Sequence, residues 1–155
     1  MAHRNAELTT DVIIRAAQPA DLPTVVALDA EETGLEKASY WKERFAWYAG
    51  AHRDRFFLIA EQGGTAAGFI VGEVRAWEFG SPPSGWIFAI GVGPDVRLHG
   101  LGTMLVDEIC VRFRKAGVHH VRTMLAKDAQ LVMSFFRSQG MMAGPFIELE
   151  KPLEP

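Results

Sequence analysis

The sequence predicts one domain of mixed α/β type over residues 11–155, preceded by a flexible tail over residues 1–10. Two kinds of segment alternate along the chain. Short runs rich in β-branched and aromatic residues are typical of strands, and longer runs with apolar residues at intervals of three and four are typical of helices. One pair of strands is joined by a tight turn and another by a helix, so the sheet is expected to contain both antiparallel and parallel neighbours.

The first half of the chain is predicted to supply three strands and two helices. The first strand is a β-branched run, and the helix after it begins with an acidic cap, Asp21, and has Pro23 in its first turn. Aromatic residues at intervals of four and three indicate the second helix, and Gly63-Gly64 indicates a hairpin turn. In order, these elements are a strand at 12–16, a helix after Asp21, a helix at 35–49 and strands at 56–61 and 66–77.

The second half is predicted to supply three further strands and two helices. The strand at 86–92 is apolar at nearly every position, which is typical of a strand covered on both faces. Leu105, Ile109 and Phe113 repeat every four residues and indicate an amphipathic helix that Gly117 ends. The remaining elements are that helix at 103–116, a strand at 118–125, a helix from Asp128 to Gly140 and a strand at 145–152.

Composition and charge exclude several classes of protein. The 155 residues carry 16 Lys and Arg against 19 Asp and Glu, a net charge of −3, which argues against nucleic acid as a partner. A single cysteine, Cys110, excludes an internal disulfide and fits a reducing compartment, so we expect a cytoplasmic protein. The longest apolar stretch, 86–92, is far shorter than the ~20 residues of a spanning helix, so no membrane partner is expected.

The segment from Gly91 to Gly102, between a predicted strand and a predicted helix, is the candidate ligand-binding segment. Gly100 and Gly102 let a ligand approach the backbone, and the amides at the helix start favour an anion such as a phosphate or pyrophosphate. The segment lacks the Gly-Lys-Ser/Thr end of a Walker A loop. Val96 stands where a dinucleotide fingerprint needs its third glycine, so that motif is excluded as well.

The residues of this segment resemble the signatures of the GNAT superfamily of acyl-CoA-dependent N-acyltransferases. Val92-x-Pro94 matches the family's Val-x-Pro, and Arg97-x-x-Gly100-x-Gly102 matches its Arg/Gln-x-x-Gly-x-Gly/Ala in the usual spacing. The resemblance extends to the order of elements over about residues 12–149, with an opening at Arg15 to Asp21 and a close at Phe135-Phe136 to Gly140-Met141.

The resemblance implies a GNAT-like fold with a mixed, mostly antiparallel sheet of about six to seven strands and about four flanking helices. It implies acetyl-CoA as co-substrate, with the pyrophosphate on the helix-start amides and the pantetheine arm along the strand that ends at Val92. The Val92 amide is then the expected donor to the developing oxyanion. No metal is implied. The implied coenzyme-binding residues are Ile90, Gly91, Val92, Arg97, Leu98, His99, Gly100, Leu101, Gly102 and Thr103.

Two positions depart from the family pattern. Trp86 stands where many relatives place a carboxylate general base, and Phe136 stands where many place a tyrosine that protonates the leaving thiolate. Glu73, in the neighbouring strand, is the candidate substitute base. Its plainer interpretation is a solvated strand residue paired with Arg75.

The predicted function is N-acetyl transfer from acetyl-CoA to a primary amine by direct attack in a ternary complex. An amine is reactive only when neutral, which at pH 7 costs a lysine ~4.6 kcal/mol and an α-amine only ~1. With a weak base, the acceptor is therefore expected to be a peptide N-terminus or a small α-amino compound.

Three alternatives stay open at this point. The departures at Trp86 and Phe136 motivate, as an alternative to the transferase, a noncatalytic acyl-CoA-binding regulatory module, and the glycine-rich segment alone also fits a phosphate-binding domain unrelated to coenzyme A. The aromatic residues Trp41, Phe45, Trp47 and Tyr48 fit either a core stripe or a substrate cage. Analogy with the family further raises a homodimer as an expectation.

Overall fold

The structure of the chain, a computed structural model, describes residues 11–94 and 100–155. The predicted tail, residues 1–10, lies outside this part. The chain divides into two compact units, of which the first ends at Met124 and the second runs from Leu125 to Pro155. Within the described ranges, no helix is both long and apolar enough to span a membrane.

The first unit is a five-stranded sheet with three α-helices. The strands lie in the order β1-β2-β3-β4-β5, and all neighbours are antiparallel except β4 and β5. The elements are β1 (Val12–Ala16), a 3-10 turn (Pro19–Asp21), α1 (Leu22–Thr33), α2 (Ala38–Tyr48), β2 (Arg55–Gln62), β3 (Thr65–Arg75), a 3-10 turn (Glu78–Gly80), β4 (Ser84–Val92), α3 (Leu101–Lys115) and β5 (Val121–Arg122). The mixed, mostly antiparallel fold class is confirmed, although the sheet over residues 11–94 and 100–155 has fewer strands than expected.

The two faces of the sheet pack against different helices. On one face, called here the α1–α2 face, Trp41 of α2 lies edge-on to Phe57 of β2 and Phe69 of β3, with ring centroids 5.9 and 5.3 Å apart. On the other, the α3 face, Phe113 of α3 lies edge-on to Phe56 of β2. Because neighbouring strand residues point to opposite faces, Phe56 and Phe57 serve one layer each. The apolar runs predicted for covered strands follow from this double packing.

Gly85 in β4 allows α3 to lie close to the sheet. A Cβ atom built on Gly85 would stand 2.6 to 2.8 Å from ring atoms of Phe113, which is itself fully buried. We expect Gly85→Ala to lower the free energy of unfolding by about 1 to 3 kcal/mol through overpacking, as measured by urea denaturation. Gly144→Ala is the matched control, because a Cβ there meets open space. Equal stability of the two variants would contradict this view of the packing.

The structure corrects several predicted boundaries. The strand expected at 118–125 shortens to the two residues of β5, and α3 begins at Leu101 rather than at residue 103. The strand expected at 145–152 is absent from residues 141–155. The apolar side chains of Ile147 and Leu149, which alternate with polar ones, are exposed there and pack against no core. A strand needs a paired neighbour, and sequence alternation alone does not provide one.

The second unit contains α4 (Gln130–Ser138). The predicted helix from Asp128 therefore begins later, because its N-cap is Ala129. Gly140 follows the helix with a left-handed φ of 86°, as expected of a residue that ends a helix. Phe136, the residue at the expected tyrosine position, lies within α4 and has no hydroxyl.

Candidate active site

Strand β5 pairs only with the first part of β4. Gly85 lies opposite Val121 and Trp86 opposite Arg122, after which the hydroxyl of Thr123 still donates to Ile87 O at 2.8 Å. Beyond Ile87, β4 stays paired with β3 on one side, whereas within residues 11–94 and 100–124 no strand pairs with its other side. In the first unit, this side of β4 is therefore an open strand edge from Phe88 to Gly91.

A β-bulge marks the point where this opening begins. Ile87 lies opposite Gly72 and Ala89 opposite Val71, so Phe88 is an extra residue in β4. The bulge turns both Phe88 and Ala89 toward the α1–α2 face, where they pack against its core. The ring of Phe88 lies edge-on to that of Tyr48, with centroids 5.2 Å apart.

The predicted coenzyme-binding residues of β4 lie along the open edge. The Gly93 N–H donates to Ala67 O at 2.8 Å, so the alternation of an antiparallel ladder directs the main-chain polar groups of Ile90 and Val92 away from β3. The main chain of Gly91 is directed toward β3 instead. A Cβ on Gly91 would stand 2.5 Å from the Phe69 ring, which explains the glycine. An extended ligand can thus bond to β4 as another strand would.

The start of α3 supplies the second part of the candidate site. Gly100 is the N-cap, in the left-handed conformation at φ 75°, and its carbonyl accepts the Met104 N–H at 3.1 Å. The amides of Leu101 and Gly102 precede that bond, so the helix itself does not use them. Leu101 is fully buried and anchors the turn, whereas Thr103 is exposed. The predicted contacts Arg97, Leu98 and His99 lie outside the described residues.

A polar cluster lies on the α1–α2 face beside the bulge, and we call it the Glu73 cluster: Tyr48, Glu73, Arg75 and Trp86. Tyr48 donates its hydroxyl to Glu73 Oε2 at 2.9 Å, and Arg75 Nε donates to Glu73 Oε1 at 3.2 Å. The Arg75 guanidinium lies over the Trp86 ring, 4.8 Å from its centroid. Burial, together with the Glu73 carboxylate, raises the pKa of Tyr48 to about 12. Tyr48 therefore stays a protonated donor at neutral pH.

The structure bears out some of the expectations for individual side chains and not others. The predicted pairing of Glu73 with Arg75 is present, but Glu73 is only one-quarter exposed and also receives the tyrosine hydroxyl, which the sequence did not reveal. Trp41, Phe45 and Tyr48 are buried and belong to the core, whereas Trp47 is exposed with Arg55 on its ring. The helical spacing predicted the burial of Tyr48. The spacing holds no signal for the partner of its hydroxyl.

Comparison with known proteins agrees with this geometry. The sequence profile described as "Acetyltransferase (GNAT) family" matches residues 22–141, well over half of the chain. The chain therefore belongs to the GNAT family of acetyltransferases. This confirms the family, the fold class and the class of enzyme predicted from the sequence.

Individual relatives are more distant. The chain is 29% identical over 85 residues to an L-2,4-diaminobutyric acid acetyltransferase of Halomonas elongata and 28% identical over 87 residues to one of Nocardia farcinica. These matches cover 55% and 56% of the chain, and the chain spans only 43% and 44% of those proteins. The solved structure of aminoglycoside N-acetyltransferase AAC(6')-Iy with CoA aligns with a TM-score of 0.78 at 16% identity, covering 92% of this chain and 95% of that one. The structural likeness shows a shared fold.

Proposed function

We propose that the chain transfers an acetyl group from acetyl-CoA to a primary amine by direct attack in a ternary complex. The observation that carries this proposal is the open edge of β4, which runs from the bulge at Phe88 to Gly91, shortly before the segment leading into α3. A noncatalytic module would need this edge only for binding. The Glu73 cluster on the neighbouring face favours catalysis, because it places a carboxylate where an amine can reach it.

The residues present fit coenzyme A. The outward main-chain groups of Ile90 suit the amide-containing pantetheine arm, and the helix-start amides of Leu101 and Gly102 suit its pyrophosphate. Gly91 and Val92 are proposed contacts of the arm on the resemblance. Arg97, Leu98, His99, Gly100 and Thr103 are proposed contacts on the resemblance. When bound, acetyl-CoA supplies an acetyl group activated as a thioester, and the amine displaces the thiol.

Glu73 is the proposed general base. Glu73 lies directly opposite Trp86 in the sheet register. The resemblance implies a carboxylate at the position of Trp86 in many relatives, so the proposed substitute is one strand away on the same face. Tyr48 and Arg75 occupy one bonding site on each carboxylate oxygen, and an ionised carboxylate offers about four. Glu73 thus retains the capacity to accept the amine proton, directly or through one water. Phe136 has no proton to give, so the leaving thiolate takes one from solvent.

The acceptor is proposed to be a small α-amino compound or a peptide N-terminus. The names of the relatives, diaminobutyric acid acetyltransferase and aminoglycoside N-acetyltransferase, both specify small amine acceptors and support the first of these. A low amine pKa remains favourable because the only base offered by the Glu73 cluster is a carboxylate.

The test is thiol release from acetyl-CoA against a panel of peptides, amino acids, polyamines and aminoglycosides, run alongside thermal denaturation with coenzyme. We expect the coenzyme to raise the melting temperature. We also expect α-amines to be acetylated faster than lysine side chains at equal concentration across pH 7 to 9. Stabilisation without thiol release would favour the noncatalytic module, and no stabilisation at millimolar coenzyme would favour the unrelated phosphate-binding domain. Faster turnover of lysine side chains would contradict the acceptor class.

A further inference from the structure

Arg75 is held in a fixed orientation in the Glu73 cluster. It follows Glu73 by two residues in β3, so both side chains project from the same face of the sheet. Its Nε is bound to Glu73 Oε1, and its planar guanidinium lies over the Trp86 ring. The hydrogen bond lies in the plane of the guanidinium and the ring contact lies on its face. Together, these two contacts leave the group little freedom to rotate.

The outer donors of this guanidinium are unused by the described part of the chain. Arginine carries five N–H donors, and the bond to Glu73 uses the Nε–H. The Nη atoms form no hydrogen bond with any residue in the ranges 11–94 and 100–155. The side chain is 37% exposed, so a ligand can reach these donors. A planar pair of N–H groups is the arrangement that binds a carboxylate in two parallel hydrogen bonds.

The neighbouring arginines do not offer the same group. Arg55 lies opposite Glu73 in β2, but its Nε donates to Trp47 O at 2.6 Å and its Nη1 to Asp54 at 3.2 Å. Arg44 lies over the ring of Tyr40, but its Nη2 is 3.9 Å from Glu43 Oε2, too far for a hydrogen bond, and its Nε has no hydrogen-bond partner among the described residues, so no in-plane bond fixes its guanidinium. Arg75 is therefore the arginine that combines a fixed plane with uncommitted outer donors beside Glu73.

We propose that Arg75 binds a carboxylate of the acceptor, which makes the acceptor an amino acid in the broad sense: an amine and a carboxylate separated by a few bonds. This inference rests on the proposed function. Adjacent carboxylate and guanidinium groups complement a zwitterion, because Glu73 attracts the amine while Arg75 pairs with the acid. A polyamine or aminoglycoside would instead bring further positive charge against Arg75. Arg75 is thus a specificity-determining residue, and Glu73 remains the base.

The test compares amino acids with their primary amides: glycine with glycinamide, β-alanine with β-alaninamide, and 4-aminobutyrate with its amide. Amidation removes the negative charge near the amine and so lowers the amine pKa, which by itself favours the amide. Binding by Arg75 favours the acid, so the two effects predict opposite preferences. We expect the wild-type protein to prefer the acid of at least one pair by tenfold or more in kcat/KM.

Arg75→Gln is expected to lower kcat/KM for that acid about tenfold to a hundredfold more than for the amide, because loss of the bond to Glu73 slows both members of the pair alike, whereas loss of the carboxylate contact slows only the acid. Arg75→Lys should keep part of the preference, because the charge remains without the planar pair of donors. Arg114→Gln on α3 is the control for loss of one positive charge and should keep the wild-type preference. Coenzyme-induced stabilisation should be unchanged in all three variants.

Two results would overturn this inference and can be told apart from failure of the proposed function. If the wild-type protein acetylates amines but does not prefer acids over amides, Arg75 does not select the acceptor while the transferase remains. The same conclusion follows if Arg75→Gln slows both members of a pair equally. If no amine in the wider panel causes thiol release, the proposed function fails and this inference fails with it.

Discussion

Replacing Glu73 with glutamine is expected to lower kcat by a factor of about 10² to 10⁴. Glutamine has nearly the same shape and still accepts the hydroxyl of Tyr48, but it cannot take up the proton that the amine must lose. Coenzyme binding should be unchanged, because the proposed coenzyme contacts lie on β4 and at the start of α3 rather than in the Glu73 cluster. Steady-state thiol release and coenzyme-dependent thermal denaturation measure the two properties separately.

Two further variants separate proton transfer from structural support. Glu73→Asp keeps the carboxylate but withdraws it by one methylene, so it should retain more activity than Glu73→Gln. Tyr48→Phe removes the bond that orients the carboxylate and should reduce kcat less than Glu73→Gln does. Glu108→Gln on α3 is the matched control, since it loses only a surface ion pair with Arg112. Activity of Glu73→Gln within threefold of the wild type would remove Glu73 from the mechanism.

Local sequence patterns were sufficient for most of the fold. The hairpin through Gly63-Gly64 and the amphipathic helix with Leu105 and Ile109 depend on turn chemistry or spacing within a few residues. The parallel pairing of β4 with β5 follows from the order strand, helix, strand. These features are encoded locally, so a single sequence reveals them. The glycine signature and its family resemblance likewise depend on contiguous residues. The family match over 22–141 confirms the resemblance.

The polar cluster depends on the register between strands and was not predictable in the same way. The partnership of Tyr48 with Glu73 joins residues 25 positions apart, and the spacing of Tyr48 in α2 indicated only a buried ring. The bulge at Phe88 has no glycine or proline to indicate it, yet it decides which side chains face α2. The sequence suggested Glu73 as a substitute for the carboxylate missing at Trp86, but only the sheet register shows that the two residues lie directly opposite each other. These contacts join residues that are far apart in the chain, so local sequence patterns do not predict them.

Replacing Asp21 with asparagine is expected to lower the free energy of unfolding by about 1.5 to 3 kcal/mol, the range for hydrogen bonds to charged groups. Asp21 is buried just before α1, and its two carboxylate oxygens accept from Arg15 Nη1 and Nη2 at 2.7 and 2.8 Å. One of these oxygens also accepts the Gln18 N–H at 2.7 Å. The substitution leaves the half-buried guanidinium of Arg15 with the carboxylate of Glu61, at 3.3 Å, as its ion-pair partner. Urea denaturation at pH 7 measures the loss, and Asp107→Asn, an exposed position on α3, should stay within ~0.5 kcal/mol of the wild type.

The loss should also depend on pH, with a sign that follows from the pKa of Asp21. The hydrogen bond from Arg15 lowers the pKa of this carboxyl in the folded protein, so the folded state binds its proton less readily than the unfolded state. The stability it contributes is fully present above the unfolded pKa of about 3.9 and disappears as the pH falls through the folded value. The difference between wild type and Asp21→Asn should therefore be constant from pH 7 to about 5 and shrink below about pH 4. A difference that grew on acidification would show that the ion pair with Arg15 is not what stabilises the start of α1.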